Sequence, residues 1–297
     1  MSTDTHAALP RRLHKRIAER LGIPLQDASA LWEADRVRVI IPESDEPRPA
    51  SLDELVFEDD TVLLDGIALP TVPPPLAYAL LNKPKNVTST TRDPRDKTNL
   101  APYLAVMPPA CFPVGRLDRE TTGILLCTND GDLASAVLRP DHLTTKTYWL
   151  WLDDVLSDDD PRLLQLVSGV PHNGFQLSAK SARIIARSEH STELELVLTQ
   201  GRKRQIRLMC RVLDLRLQHL HRKRIGPLTD DGLALGAWRL LSATEVEDLW
   251  QAAGGRAEVR HRKLVALARQ AMDLRAAGTP HVRLEQWLAS HTPEQFP

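Results

Sequence analysis

Residues 112–131 read FPVGRLDRETTGILLCTNDG. Arg116 and Arg119 bracket Asp118 in a turn, threonines and a glycine follow, and the apolar run Ile124–Cys127 comes next. A short continuous apolar run bounded by turn residues is the pattern of a fully buried strand. The stretch after it, DGDLASAVL (130–138), reads as a helix, with Asn129 or Asp130 as the cap of its first turn. A polar turn therefore feeds a buried strand that feeds a helix, and the turn holds one carboxylate between two guanidiniums. Opposite charge nearby favours an ionised carboxylate, which suits a nucleophile or base rather than a general acid.

Strands and short helices alternate on both sides of this stretch. YALLNKP (78–84) is a strand ended by proline, and KTYWLWLD (146–153), ARIIAR (182–187) and TELELVLT (192–199) are further strands. QIRLMCRVLDL (205–215) is a helix that follows the basic turn QGRKR (200–204). The pattern predicts an α+β domain on a mixed, largely antiparallel sheet over residues 76–250. A small α/β module precedes it over residues 1–67. There RRLHKRIAERLG places Leu13, Ile17 and Leu21 on one helical face with Gly22 at its end, a second helix runs from about Gln26 to Ala34, and RVRVII and TVLLDG are short strands. Between the two, residues 68–75 form a proline-rich linker: four of the nine residues in ALPTVPPPL (68–76) are proline. Residues 251–297 form a basic helical extension in which Val265, Leu267 and Met272 are expected to face the body.

The chain has 297 residues, 42% apolar and 26% charged, with a formal net charge of -1. Such a balance argues against a protein that coats nucleic acid by bulk attraction, yet the charge is unevenly placed. Residues 201–224 carry nine Arg or Lys against the single acid Asp214, whereas residues 41–70 carry nine acids against the single base Arg48. A local basic face can dock a polyanion on an otherwise neutral molecule. Three cysteines, Cys111, Cys127 and Cys210, are far apart and lack metal-ligand spacing, which fits a reducing cytoplasm. No apolar run reaches the roughly 18 residues that span a bilayer.

Two further segments carry chemistry. In Lys146-Thr147-Tyr148, a tyrosine directed inward from a strand offers an apolar face for a base and a hydroxyl for protons. In QGRKRQIRLM (200–209), Arg202, Lys203 and Arg204 sit between a strand end and a helix start, where side chains and backbone donors can meet phosphates. Arg207 lies between the core positions Ile206 and Met209; an arginine drawn inward needs a carboxylate, and Asp118 is the candidate.

With these segments in order, the chain resembles the RsuA-type RNA pseudouridine synthases. The resemblance rests on GRLDRETTGILLCTNDGDLA, KTY, QGRKRQIRLM, LHRKRIGP and GAWRLL, covers about residues 76–250, and is nearest to the RluF-type enzymes of large-subunit ribosomal RNA. Residues 11–65 resemble the small S-four-like RNA-binding module of that family. The resemblance implies conversion of a uridine in structured RNA to pseudouridine, with no cofactor and no metal. It makes Asp118 the catalytic aspartate, Tyr148 the active-site tyrosine, Arg207 the partner of the aspartate, and Arg116 the arginine that helps displace the target nucleotide. Arg119, Lys146, Arg202, Lys203, Arg204 and Gln205 are expected to contact RNA. Because QDASALWEADR (26–36) offers no cation before Arg36 and an acidic segment follows, the module's expected RNA contacts are Arg11, Arg12, Lys15 and Arg16. Leu208 stands where the family often has another arginine. A cytoplasmic monomer with ribosomal RNA as partner and no membrane contact is expected; a non-catalytic RNA-binding or ribosome-assembly factor on the same fold is the alternative.

Overall fold

The computed structural model describes residues 9–90, 98–139 and 144–291. The chain divides into two compact units, Leu76–Gly255 and a second that joins Met1–Pro75 to Arg256–Pro297.

In the second unit β1 (Arg11–Arg12) leads into α1 (Leu13–Leu21), α2 (Leu25–Glu33), β2 (Val37–Ile41), β3 (Ser44–Arg48), β4 (Leu55–Val56), β5 (Thr61–Leu64) and β6 (Ile67–Ala68). Gly22 ends α1 in the left-handed conformation, φ 63°, as a glycine past the last turn does. Leu13, Ile17, Ala28, Val37, Val39, Val56 and Val62 form its core beside the sheet β3-β2-β5-β6.

Residues of the larger unit follow in the order β7 (Tyr78–Lys83), α3 (Ala101–Leu104), β8 (Phe112–Pro113), β9 (Thr121–Thr128), α4 (Gly131–Leu138), β10 (Lys146–Leu152), α5 (Pro161–Ser168), β11 (Val170–His172), β12 (Phe175–Leu177), β13 (Ser181–Arg187), β14 (Thr192–Leu198), α6 (Gln205–Val212), β15 (Leu217–Ile225), β16 (Leu228–Thr229), β17 (Trp238–Leu240) and α7 (Ala243–Ala252). One nine-stranded sheet runs β13-β14-β10-β15-β9-β7-β17, with β16 beside β15 and β8 beside β9. Its pairs are antiparallel apart from β15 with β9, so the mixed, largely antiparallel α+β sheet read from the sequence is present. Every residue of β9 is buried, which is why its sequence shows a continuous apolar run and no alternation.

α8 (Arg256–Ala276) and α9 (Val282–His291) belong with the N-terminal segment. Leu55 and Phe57 pack with Ala271 and Leu284, and partly with Leu267 and Trp287. Arg283 adds ion pairs to Asp59 at 3.0 Å and Asp60 at 2.7 Å, with its guanidinium over the Phe57 ring. The expected packing face of α8 needs correction. Leu264, Leu267 and Ala271, at i, i+3 and i+7, turn inward, while Met272 is 72% and Val265 38% exposed.

Candidate active site

Asp118 sits in the connection from β8 to β9. The Thr121 amide donates to the Asp118 carbonyl at 3.0 Å and closes the turn. A second loop, residues 84–90, holds it from outside. The Ser89 hydroxyl accepts from the Leu117 amide at 3.0 Å and donates to the Leu117 carbonyl at 2.7 Å, and the Asn86 amide donates to the Arg119 carbonyl at 2.8 Å. Lys83, fully buried, braces that loop from within by donating to the carbonyls of Pro84 at 2.9 Å and Val87 at 2.8 Å. Burial and then the nearby Arg222 charge pull the Lys83 ammonium down to about 8, against the attraction of Glu120 and Asp118.

Gly123 fixes how β9 meets β15. It lies at φ 111°, and a Cβ there would fall 2.4 Å from the carbonyl oxygen and 2.5 Å from the amide nitrogen of Arg222. Only glycine lets the two backbones approach so closely. The Arg222 side chain, 5% exposed, then donates through Nε to the Ile124 carbonyl at 2.7 Å.

α6 delivers Arg207 to the turn. Ile206, Met209 and Cys210 bury against the sheet core with Leu150, Leu152, Leu194 and Leu196, which sets the helix rotation. Arg207 Nη2 donates to Thr121 Oγ1 at 3.1 Å, and Nε stands 3.7 Å from Asp118 Oδ2. The side chains of Arg207 and Asp118 are 17% and 31% exposed. At 3.7 Å the pair is ionic rather than hydrogen-bonded, and Arg207 Nε is buried with no hydrogen-bond partner among the described residues. Tyr148 pairs with Leu196 and Arg222 across the sheet and packs on the core that α6 covers. Leu150 pairs with Leu220, and Leu220 with Thr121; cross-strand neighbours share a face. Tyr148 is therefore on the face that carries the Thr121 and Arg207 contact, with no hydrogen bond to Asp118 among the described residues.

The other site residues separate into two groups. Arg116, Arg119, Arg202, Lys203 and Arg204 are exposed, as are Lys15 and Arg12. Arg11 pairs with Glu19 at 3.3 Å and Arg12 with Asp53 at 2.5 Å. Three expected RNA contacts are corrected. Gln205 is 5% exposed, and its amide is engaged internally, accepting from the Arg202 amide at 3.1 Å and donating to the Ser178 carbonyl at 3.0 Å. Lys146 donates to the carbonyls of Val137 and Thr144, both at 2.9 Å, and burial followed by the Arg222 charge lowers it to about 8. Arg16 is 4% exposed beside Glu19 at 3.7 Å. Gln205 and Arg16 are buried and Lys146 is half-buried, and the polar groups of all three are turned to partners within the fold. The polar character of each was visible in the sequence, but its burial was not.

Ser89, Asn86 and Lys83 were missed because they precede the turn by some thirty residues, and the only cue to them was the strand-ending Lys-Pro. The two other acids near the turn have separate partners. Glu120 pairs with Lys85 at 3.5 Å, and Asp130 caps α4 and accepts from the Tyr78 hydroxyl at 2.8 Å. Burial pushes the thiols of Cys111 to about 11 and of Cys127 and Cys210 to about 12, so the nucleophilic thiolate is scarce at neutral pH.

A family model described as RNA pseudouridylate synthase matches residues 77–211, which include Asp118, Tyr148 and Arg207. A ribosomal small subunit pseudouridine synthase A of Yersinia pestis is 33% identical over 238 residues, 79% of this chain and 96% of that protein. The chain belongs to the RNA pseudouridine synthases of the RsuA and RluF type. The synthase is also 29% identical over 252 residues to a dual-specificity RNA pseudouridine synthase RluF of Salmonella typhi, covering 84% of this chain and 81% of the relative. A crystal structure of a pseudouridylate synthase superposes with a TM-score of 0.54 at 25% identity, over 80% of this chain and 99% of the other. The protein is thus an isomerase that forms pseudouridine in RNA. None of the described helices is long and apolar enough to cross a membrane.

Proposed function

We propose that this synthase modifies a uridine of ribosomal RNA, in the large subunit, with Asp118 as the reacting carboxylate. Isomerisation breaks the bond from uracil N1 to ribose C1′, turns the base within the pocket and rejoins it through C5, with loss of the C5 proton. Either attack of a carboxylate on the sugar or removal of a ribose proton starts this sequence, and both need one ionised oxygen at the ribose. The observation that carries the reading is the meeting of Arg207 with Asp118 at 3.7 Å while Thr121 anchors the same guanidinium. Glu120 and Asp130, the two other acids near the turn, are engaged elsewhere, so neither stands ready as the second carboxylate that the paired acid and base of a hydrolytic glycosidase need. Tyr148 offers its ring to the uracil. Arg116 occupies the place vacated in the RNA stack, since extrusion of a base costs a few kcal/mol. Arg119, Arg202, Lys203 and Arg204 hold phosphates, and Arg11, Arg12 and Lys15 of the N-terminal module add further contacts.

A large-subunit target rests on the RluF-type resemblance; the relatives also include small-subunit enzymes, so the test reads both. It is a carbodiimide pseudouridine map of ribosomal and transfer RNA from cells with and without the gene, complemented by wild type or Asp118→Ala. One mark in large-subunit RNA should vanish on deletion and return only with the intact aspartate. Its return with Asp118→Ala would overturn the site, and a lost mark in another RNA would overturn the target. The protein is proposed to act as a cytoplasmic monomer.

A further inference from the structure

Several arginines of the larger unit are matched by carboxylates of the same fold. Arg162 pairs with Asp160, Arg183 with Glu195, Arg187 with Asp158, Arg216 with Asp154 and Arg239 with Glu245. The cations of the turn before α6 are not matched in this way. Arg202, Lys203 and Arg204 are exposed, and none forms an ion pair among the described residues. Arg204 also takes the left-handed conformation, φ 58° and ψ 24°, which a residue with a side chain rarely adopts. The turn is held by Gln205, so its cations stand at a fixed place and not on a loose loop.

Against this turn lies the hairpin of β11 and β12. Asn173 and Gly174, at φ 46° and 77°, make its two-residue loop, and His172 pairs with Phe175. Phe175 is 53% exposed, and the Arg202 guanidinium carbon lies 4.1 Å from its ring centroid. An aromatic ring left open to water beside unneutralised cations has the two parts that unpaired nucleic acid uses. A base stacks on a flat apolar or guanidinium surface, and its phosphates meet the charges alongside.

Resting on the reading of the chain as an enzyme acting on RNA, we propose that Phe175 and Arg202 form a stacking platform for an unpaired base of the substrate. The base extends the stack that ring and guanidinium begin, and Lys203 and Arg204 take the adjoining phosphates. Arg202 and Arg207 are five positions apart, so the backbone that carries the platform's guanidinium lies within about 18 Å of the backbone of the arginine that meets Asp118. The base it holds is a near neighbour of the target uridine, and the platform contributes to choosing which uridine enters.

The test uses the full-length protein and unmodified ribosomal RNA transcripts labelled with tritium at uridine C5, which the reaction releases. Phe175→Ala should raise KM by roughly 10-fold to 100-fold, as loss of one stacked base does, with the change falling on KM rather than kcat. Phe175→Trp should restore KM and Phe175→Leu should not. The tryptophan placed there should lose fluorescence on addition of a uridine decamer. A KM for Phe175→Ala within twofold of wild type overturns the platform. So does rescue by leucine equal to that by tryptophan, or a fall in thermal midpoint that accounts for the whole loss. If wild type releases no tritium from any transcript, the ribosomal RNA reading fails on its own account, and fluorescence of the Phe175→Trp variant still decides the platform.

Discussion

Arg207 serves Asp118 and Thr121 with two different nitrogens of one planar group, an arrangement that a lysine cannot reproduce. Arg207→Lys should therefore lower kcat by on the order of 100-fold, the scale of losing one fixed charged donor at a reacting group. RNA affinity should change by less than about tenfold, measured by tritium release and filter binding; a kcat within threefold of wild type would remove Arg207 from the chemistry. At this scale the sequence was most informative where residues stand together in a motif. Asp118, Arg207 and the exposed turn 202–204 were legible from charge and order. Gln205, Lys146 and Arg16 were misjudged because a donor near a basic run reads as surface, and only the packed fold shows that carbonyls or a neighbouring acid engage it.

At the scale of elements, the junction of β9 and β15 is a tight point under the turn that holds Asp118. Gly123→Ala would place a Cβ against the Arg222 backbone at a φ that alanine rarely adopts. A loss of about 3 kcal/mol or more is expected, since strain and clash add at a site with backbone on the far side. Urea unfolding measures it, and a loss under about 1 kcal/mol would mean that the two strands slide apart without cost. Strands with a continuous apolar run or strict alternation, such as β9 and β14, were legible from the sequence. The hairpin of β11 and β12 was not, because three-residue strands carry too little pattern to separate from a loop. In α8 the helix was legible but its inward face was not, since several apolar residues compete for one stripe.

Over the whole molecule, the two ends of the chain fold together, and Leu284, fully buried beside Leu55 and Phe57, is their apolar join. Leu284→Ala should cost about 2–5 kcal/mol in that unit. Limited proteolysis should then release fragments from residues 9–75 and 256–291 while 76–255 stays resistant; an unchanged pattern would contradict the join. The sequence set out these end segments separately, because long-range pairing of chain ends leaves no local signature. Buried lysines add a pH dependence. Lys83 and Lys146 ordinarily titrate at 10.5 and are held at about 8 in the fold, so above pH 8 the unfolded chain binds more protons and stability rises. The buried thiols, ordinarily at 9.0 and raised in the fold, oppose this at higher pH. The rise therefore belongs to the window from pH 8 to 9, where wild type should gain stability relative to Lys83→Met in urea melts; a constant difference would show Lys83 charged throughout. One carboxylate at the β8 to β9 turn is proposed to do the chemistry, and tritium release from C5-labelled ribosomal RNA by wild type and Asp118→Asn decides it. Release by wild type alone is expected, with both proteins folded and binding the transcript alike, and release by Asp118→Asn within tenfold of the wild-type rate would remove Asp118 from the chemistry.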